Sequence, residues 1–386
     1  MFVMTVKKHQ YFYTYDTVGS FLRPNDLKEA YNQVDNGEIT QDEFKQIQHG
    51  ATKKLVQQEI THGLHVVSDG EYNRKNFFID FLAGLKGVQV VPDGFKLNFS
   101  GQELVDDGLK LAGKFEYNAN HPFFSDYEFL QSIIPAGVQA KVTIPAPTPL
   151  LFEGDFAVIA NYSDFYASRE EYLADILKVY QQTIAHFYEL GLRYIQLDDP
   201  WLLGVTLPIA GLQGDENTER VTKLEDEITS LIQKIIAAAP DDMIFATHIC
   251  RGNFHSASLG GGTYASITNV LQELPYDAFF MEYDDLKTDG DFEPLARIHR
   301  AQPQAVFVLG LVTTKTSQLE SEQKLQHKIL QAMDVVPLHN LSLSPQCGFA
   351  STKEGNDLNE QQQWDKVDLV VQTARDTWKT DACRFD

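Results

Sequence analysis

Short apolar runs alternate with longer amphipathic segments along this chain, and this alternation limits its possible folds more than any other feature. Eight runs have the length and residue types of strands, and helical periodicity fills most of the gaps between them. The runs lie at 13–19, 65–68, 138–144, 193–197, 243–248, 277–282, 304–311 and 341–343. Eight strands separated by helices predict a closed (β/α)8 TIM barrel of the α/β class, although a doubly wound sheet has the same local periodicity.

The segments between the strands predict helices, with one exception. The predicted helices lie at about 24–62, 169–190, 218–239, 264–273, 318–333 and 359–377, and the first is split in two by Asp-Asn-Gly at 35–37. The stretch 87–132 is rich in Gly, Asp and Asn, and its apolar residues follow neither the alternation of a strand nor the periodicity of a helix. We therefore expect an insertion after the second strand. Since no linker interrupts the pattern, we predict a single catalytic domain over 1–386.

Charge and composition make some classes of binding partner unfavourable. The 386 residues include 32 basic and 54 acidic side chains, which gives a net charge of −22. Such a charge opposes binding to nucleic acids and to anionic membranes. The sequence contains no apolar run of about 18 residues that would span a bilayer, and no secretory signal is recognised at its start. We therefore expect a cytoplasmic protein that acts on small molecules.

Two of the three cysteines follow predicted strands, and three is too few and an odd number for a disulfide framework. Cys250 stands two residues after His248 at the end of the fifth strand, and Glu282 ends the sixth. Cys347 follows the eighth strand. Side chains two apart on an extended chain point the same way, and the carboxyl ends of barrel strands meet at one face. Two thiols, an imidazole and a carboxylate form a donor set suited to tetrahedral zinc.

Each of these residues also has an ordinary structural interpretation. A single cysteine at a strand end is commonly a small buried apolar side chain, and a single histidine is commonly structural. The His-x-Cys pattern is short, so spacing alone leaves both a zinc site and unrelated core residues open. The third cysteine, Cys383, lies in a polar tail and is not expected to bind metal.

The wider sequence resembles the catalytic domain of cobalamin-independent methionine synthase. Thr-His-Ile-Cys at 247–250, the later Glu282 and Ser-Pro-Gln-Cys-Gly at 344–348 are similar to the zinc-ligand segments of that family. Three more segments also match: Thr-Val-Gly-Ser-Phe at 17–21, Asp-Gly-Glu with Arg74 at 69–74, and Tyr-Ile-Gln-Leu-Asp-Asp-Pro at 194–200. The segments occur in the family's order over nearly the whole chain, so the resemblance is specific.

The resemblance implies a TIM-barrel methyltransferase of the 5-methyltetrahydropteroyltriglutamate–homocysteine type, which makes methionine. It implies that Zn2+ is bound by His248, Cys250, Glu282 and Cys347. It further implies that homocysteine is held by Ser20, Glu71 and Asp198, the last also counted as catalytic. The chemistry agrees, because an α-ammonium binds carboxylates and an α-carboxylate binds hydroxyl and N–H donors.

Two departures from the family concern the methyl donor. The full-length family enzymes carry an additional N-terminal half that helps to bind polyglutamylated folate, and this chain resembles the catalytic half alone. After the seventh strand, Lys315 stands where the family has a histidine thought to protonate the leaving group. Lys315 is thus the candidate catalytic acid, but with an ordinary pKa of about 10.4 it is a weaker acid than imidazolium. Methyltetrahydrofolate, a methylated corrinoid carried by a corrinoid protein, and S-methylmethionine all remain open as donors.

Other functions remain possible for the same residues. The chain is alternatively a zinc-dependent alkyltransferase for another small thiol, or a non-catalytic zinc-binding protein; a metal-bound water running hydrolysis is a further alternative. Arg23 and Arg251 lie beside matched segments and depart from the family's usual residues. They either recognise a different substrate or form ordinary salt bridges between loops.

Overall fold

The computed structural model describes residues 12–99, 102–153, 157–206, 215–251, 253–254, 256–258, 263–285 and 290–382. Its strands are β1 (Val66–Val67), β2 (Lys86–Phe99), β3 (Gln102–Glu116), β4 (Gln139–Ala140), β5 (Val142–Pro145), β6 (Tyr194–Asp198), β7 (Ile244–Ile249), β8 (Asn253–Phe254), β9 (Ala257–Ser258), β10 (Ala278–Glu282), β11 (Val306–Val312) and β12 (Leu341–Pro345). Its helices are α1 (Asn25–Asp35), α2 (Gln41–Thr61), α3 (Ile79–Ala83), α4 (Pro122–Ile133), α5 (Arg169–Glu189), α6 (Asp215–Ala237), α7 (Thr268–Leu271), α8 (Glu293–Ala301), α9 (Glu322–Met333) and α10 (Glu360–Trp378). Short 3-10 turns lie at Thr148–Leu151, Tyr162–Asp164, Pro200–Gly204, Tyr264–Ile267 and Leu338–Asn340.

The parallel strands close into a barrel. A six-stranded sheet runs in the order β12-β11-β10-β7-β6-β5, and β4 continues it to β1. The segment that follows residue 12 fills the remaining gap: Asp16 N–H donates to Leu343 O at 3.0 Å on one side, and Phe21 N–H donates to Gly70 O at 3.1 Å on the other. The predicted TIM barrel with an insertion after the second strand is therefore confirmed.

Inward and outward side chains alternate along every barrel strand. Val66, Tyr194, Ala246, Phe280 and Val308 are buried together in a cluster that fills the barrel interior. The opposite faces of the same strands contribute to the larger core that they share with the surrounding helices. Because both faces are buried, these strands read in the sequence as continuous apolar runs.

Capping residues explain where the helices begin. Thr40 accepts a hydrogen bond from Glu43 N–H, and the Glu43 carboxylate accepts from Thr40 N–H in return, a capping box that starts α2. Asn359 and Gln362 form the same arrangement before α10. Gly37 has a φ of +71° in the turn after α1. This turn is the break that the sequence predicted between the first two helices.

The insertion after the second strand is an antiparallel hairpin of β2 and β3, followed by α4. The sequence predicted only short alternating pieces here, because bulges interrupt the alternation where the pairing register shifts, between Val91 and Phe95 for example. Asn76 Nδ2 donates to Asp106 Oδ2 at 2.9 Å. The Phe78 ring also contacts Phe95 and Trp201. These contacts fasten the hairpin to loops at the carboxyl ends of the barrel strands.

Some elements differ from the sequence predictions. The helix expected at 264–273 is a 3-10 turn followed by the four-residue α7, and α8 was not predicted. The run at 13–19 makes isolated bridges where a regular strand was expected. Single-domain organisation over 1–386 stays a prediction. Within the described residues, no helix is both long and apolar enough to cross a membrane.

A buried ion pair lies inside the barrel. Lys141 Nζ is 3.2 Å from Asp16 Oδ1 and also donates to Thr17 O, and both charged side chains are almost fully buried. Tyr194 OH donates to the other Asp16 oxygen at 3.1 Å. Burial raises the pKa of Asp16, and Lys141 opposes that rise. The pair fixes the segment that closes the barrel.

We expect Lys141→Met to lower the free energy of unfolding by about 3–5 kcal/mol, because the Asp16 carboxylate stays buried without its partner. Urea denaturation at neutral pH measures the change. Lys223→Met is the matched control, since the Lys223 side chain is 68% exposed, and it should change stability by less than about 0.5 kcal/mol. Equal effects of the two substitutions would contradict a structural role for the buried pair.

Candidate metal centre and substrate pocket

Four side chains with metal-binding atoms converge at the carboxyl ends of three barrel strands. His248 lies in β7 with Cys250 just after it, Glu282 ends β10, and Cys347 follows β12. One potential ligand atom from each residue lies within 4.8 Å of the others. The strand register explains the convergence: His248 pairs with Phe280, so two residues further on Cys250 and Glu282 reach the same level. One small ion can therefore contact all four side chains.

We call the side chains of His248, Cys250, Glu282 and Cys347 the metal cluster, and their chemistry fits a single metal ion. His248 Nδ1 faces Asp198 Oδ1 at 3.6 Å. The other ring nitrogen, Nε2, is buried without a hydrogen-bond partner among the described residues. A buried polar atom without a partner is costly, and coordination would satisfy it. Two sulfurs, one imidazole nitrogen and one carboxylate oxygen suit tetrahedral zinc.

Protons compete with a metal ion for these ligand atoms. The contact with Cys250 and burial raise the pKa of the Cys347 thiol. Burial lowers the pKa of His248, but Asp198 and Cys347 outweigh it and raise that pKa to about 10. Burial raises the pKa of Glu282 to about 7. Since thiolate, neutral imidazole and carboxylate are the ligating forms, metal binding at this cluster should release protons.

The orientation of Glu282 is fixed by three neighbours, of which only Arg251 was a candidate from the sequence. Gln346 Nε2 donates to Glu282 Oε1, and Arg251 N–H donates to Oε2 at 3.3 Å. Glu282 N–H donates to Tyr264 OH at 2.7 Å. The resemblance to Ser-Pro-x-Cys-Gly leaves the identity of residue 346 open, so its position beside Cys347 was the one sequence feature that could have drawn attention to Gln346. These contacts keep both carboxylate oxygens within the cluster.

Asp198 connects the metal cluster to a second acidic side chain. Gln196 Nε2 donates to Asp198 Oδ1 at 2.7 Å, and the same oxygen faces His248. Burial is the main cause of the raised pKa of Glu71, and the charge of Asp198 adds to it, so the two carboxylates are close enough to repel each other. The cation most suited to relieve this repulsion is one that binds between them.

Glu71 is held in an unusual backbone conformation. It follows β1 in the turn Asp69–Gly70–Glu71 and has a φ of +61°, in the left-handed region. Its N–H donates to Asp69 Oδ1 at 2.9 Å. Glu71 Oε2 is buried and has no hydrogen-bond partner among the described residues. Burial, opposed mainly by Arg74, raises the pKa of Glu71 to about 7. A buried carboxylate with a free oxygen is suited to bind a cationic group.

Ser20 lies beside both the Glu71 turn and the Cys347 loop. A parallel bridge pairs Ser20 with Gly70, and Phe349 N–H donates to Ser20 O at 3.0 Å. A Cβ on Gly348 would lie only 1.8 Å from Ser20 Oγ, which explains why the residue after Cys347 is glycine. The structure thus brings Ser20, Glu71 and Asp198 to the same end of the barrel as the metal cluster.

Lys315 lies beside the metal cluster but does not have the properties of a strong acid. Its Nζ is 3.3 Å from Asp284 Oδ2. Burial lowers the pKa of Lys315, but Asp284 and Glu282 outweigh burial, so the net pKa is raised. A raised pKa makes the ammonium a poorer proton donor than an ordinary lysine. The role of Lys315 as catalytic acid stays a prediction, and these contacts weigh against it.

The two remaining sequence candidates have different surroundings. The Arg251 guanidinium lies 5.8 Å from the centre of the Tyr264 ring, and Arg251 is buried next to Cys250. Arg23 is buried too. Its guanidinium donates hydrogen bonds to backbone carbonyls, whereas salt bridges between loops were one of the two expectations. Cys383 lies outside the described residues.

Comparisons with known proteins agree with this architecture. A family model described as the catalytic domain of cobalamin-independent synthase matches residues 138–375. An uncharacterised protein of Bacillus subtilis, YxjG, is 38% identical over 370 residues, 94% of each chain. A Listeria monocytogenes structure, described as a candidate vitamin-B12-independent methionine synthase, superposes with a TM-score of 0.73 at 32% identity, over 95% of this chain and 98% of that one.

A more distant relative shows the difference in length. The 5-methyltetrahydropteroyltriglutamate–homocysteine methyltransferase of Bacillus cytotoxicus is 19% identical over 340 residues, which are 87% of this chain and 40% of that enzyme. The similarity therefore extends over less than half of the longer enzyme. Together, the matched family model and the relatives that align end to end show that this chain belongs to the cobalamin-independent methionine synthase family.

Proposed function

We propose that this protein is a zinc-dependent methyltransferase that transfers a methyl group to the thiol of homocysteine and so forms methionine. The observation that carries the proposal is the joint position of a two-sulfur metal cluster and a buried carboxylate pair, Glu71 and Asp198, linked through His248. A small molecule with a thiol would bind the metal through its sulfur, and an α-ammonium on the same molecule would bind the carboxylate pair. Homocysteine carries both.

The side chains divide the binding between them. Zinc, held by the four cluster residues, would supply the positive charge that keeps a substrate thiol deprotonated and nucleophilic at neutral pH. Glu71 and Asp198 would bind the α-ammonium, and Ser20 Oγ with nearby backbone N–H groups would bind the α-carboxylate. Asp198 would also orient the His248 ring through Nδ1, as carboxylates commonly do for metal-bound histidines.

The surroundings of Lys315 bear on the methyl donor. The N5 amine of methyltetrahydrofolate leaves readily only when it is protonated, and the Asp284 and Glu282 carboxylates hold the Lys315 proton tightly. A sulfonium such as S-methylmethionine or a methylated corrinoid leaves without a proton. These two donor classes therefore fit the side chain at this position better than a folate does, and a corrinoid protein would be the partner in the second case.

The carboxylate pair also separates homocysteine from the alternatives. A zinc-dependent alkyltransferase for a thiol without an α-ammonium has no use for a buried Glu71 with a free oxygen. A non-catalytic zinc protein predicts four protein ligands with no pocket acids beside them. Hydrolytic zinc sites are usually richer in histidine and carboxylate than in cysteine.

We expect the zinc-loaded protein to form methionine from homocysteine with at least one of S-methylmethionine, methylcobalamin and methyltetrahydrofolate (mono- and triglutamate). Methionine is measured by mass spectrometry, and zinc by metal analysis. Cys347→Ala should lose most of its zinc and at least roughly a hundredfold in rate, since the cluster loses one of its two thiolates. Cys383→Ala is the matched control and should keep both. The absence of methionine with every donor, or zinc and activity retained by Cys347→Ala, would refute the proposal.

We expect the stability of Glu71→Gln relative to the parent to depend on pH. Folding raises the pKa of Glu71 from 4.5 to about 7, so its contribution to stability is present below the lower value and is lost as pH rises to the upper one. From about pH 5 to about pH 8, Glu71→Gln should gain roughly 1–3 kcal/mol relative to the parent. Urea unfolding of both proteins measures this difference, and effects of the metal cluster cancel. A difference independent of pH would show that Glu71 is charged throughout.

A further inference from the structure

We propose that Arg23 is a positioning residue for substrate binding, which holds the strained Glu71 turn so that its carboxylate grips the α-ammonium of the substrate. This inference rests on the proposed function, because it assigns to Glu71 the binding of an amino-acid thiol. It concerns a residue whose hydrogen bonds go to backbone carbonyls outside the metal cluster, and for which the sequence left two interpretations open.

The guanidinium of Arg23 joins two loops through backbone carbonyls. Nη2 donates to Glu71 O at 2.8 Å and to Arg74 O at 2.7 Å. Nη1 donates to Ala350 O at 3.1 Å and to Thr352 O at 2.9 Å. The first two carbonyls belong to the turn that carries Glu71, and the others to the loop after Cys347. Arg23 is 2% exposed, so these bonds form away from bulk water.

The turn that Arg23 holds would not keep its shape unaided. Glu71 has a φ of +61°, a conformation that side chains other than Gly, Asn and Asp rarely adopt. Such a residue persists where its surroundings over-determine it, and such residues concentrate at functional sites. Three contacts hold Glu71 in this conformation: the Glu71 N–H bond to Asp69, the Arg74 N–H bond to Glu71 O at 3.3 Å, and the Arg23 bond to the same oxygen. Of these three contacts, the Arg23 bond is the one that comes from outside the turn, where it adds to the Phe21 N–H bond to Gly70 O.

The geometry requires an arginine. Four carbonyl oxygens on two separate loops need a planar fork with several N–H groups, whereas a lysine ammonium offers three donors from one point. Burial raises the pKa of Glu71, and the positive charge of Arg23 opposes that rise together with the larger effect of Arg74. Arg23 therefore fixes the position of the side chain that would meet the α-ammonium.

This role differs from general support of the fold in a measurable way. If Arg23 acts through Glu71, its loss weakens the binding of thiols that carry an α-ammonium and spares thiols that lack one. A residue that only stabilised the barrel would weaken both classes equally, or neither. The ratio of the two affinities therefore separates the two roles.

The test uses cobalt-substituted protein, in which thiol binding changes the visible absorption of the metal, and it needs no methyl donor. We expect Arg23→Met to raise the Kd for homocysteine roughly ten- to a hundredfold, with the Kd for 2-mercaptoethanol changed less than about twofold. Arg169→Met is the matched control: Arg169 also ties elements together, through Glu227 and Leu151 O, and should leave both constants unchanged.

A double-mutant cycle with Glu71→Gln tests the path of the effect. The homocysteine Kd of Arg23→Met/Glu71→Gln should equal that of Glu71→Gln alone, because the carboxylate that Arg23 positions is already gone. The inference would be overturned if the Kd of the double variant showed the product of the two separate effects. It would also be overturned if Arg23→Met weakened the binding of homocysteine and 2-mercaptoethanol equally. If Arg23→Met does not fold, Arg23→Lys replaces it and should raise the homocysteine Kd by a smaller factor; an unchanged Kd would overturn the inference too. No response of the parent protein to homocysteine would instead overturn the proposed function.

Discussion

The parallel register of the barrel strands is the constraint on which the candidate site depends. Asp198 pairs with His248 across β6 and β7, and Glu282 pairs with Gly310 across β10 and β11. Because inward side chains recur every second residue, the last inward position of each strand lies in one layer at the carboxyl end. A slip of one residue in any strand would turn its site residue towards the helices.

The same layer concentrates buried ionisable groups that a folding protein would otherwise avoid. Glu71, Glu282, His248 and Cys347 are all buried with pKa values displaced from their ordinary range. Displaced pKa values of this kind cluster at functional sites, since burying a charge without a partner costs stability. A dication and an ammonium are the partners that would neutralise the two halves of this layer. These displaced pKa values support the proposal that the site takes a metal ion and an amino-acid thiol together.

The sequence predicted the barrel because both faces of its strands are buried, and that burial leaves apolar runs of strand length. It predicted the positions of His248, Cys250, Glu282 and Cys347 because His-x-Cys spacing and strand ends are local features. Their assignment as zinc ligands needed the family resemblance and remains a proposal. The sequence singled out Arg23 but left two roles open, since one of its partners, Ala350, lies 327 residues away. Gln346 was missed, since its contact with Glu282 spans 64 residues of the chain. Helix α8 was missed because it is only nine residues long.

X-ray absorption at the zinc edge, recorded with and without homocysteine, tests the central claim most directly. The free protein should show one zinc with two sulfur neighbours, from Cys250 and Cys347, and two lighter ones, from His248 and Glu282. Homocysteine should add one sulfur to that shell, whichever methyl donor the enzyme uses. A shell with a different sulfur count in the free protein, or one that homocysteine leaves unchanged, would contradict the account.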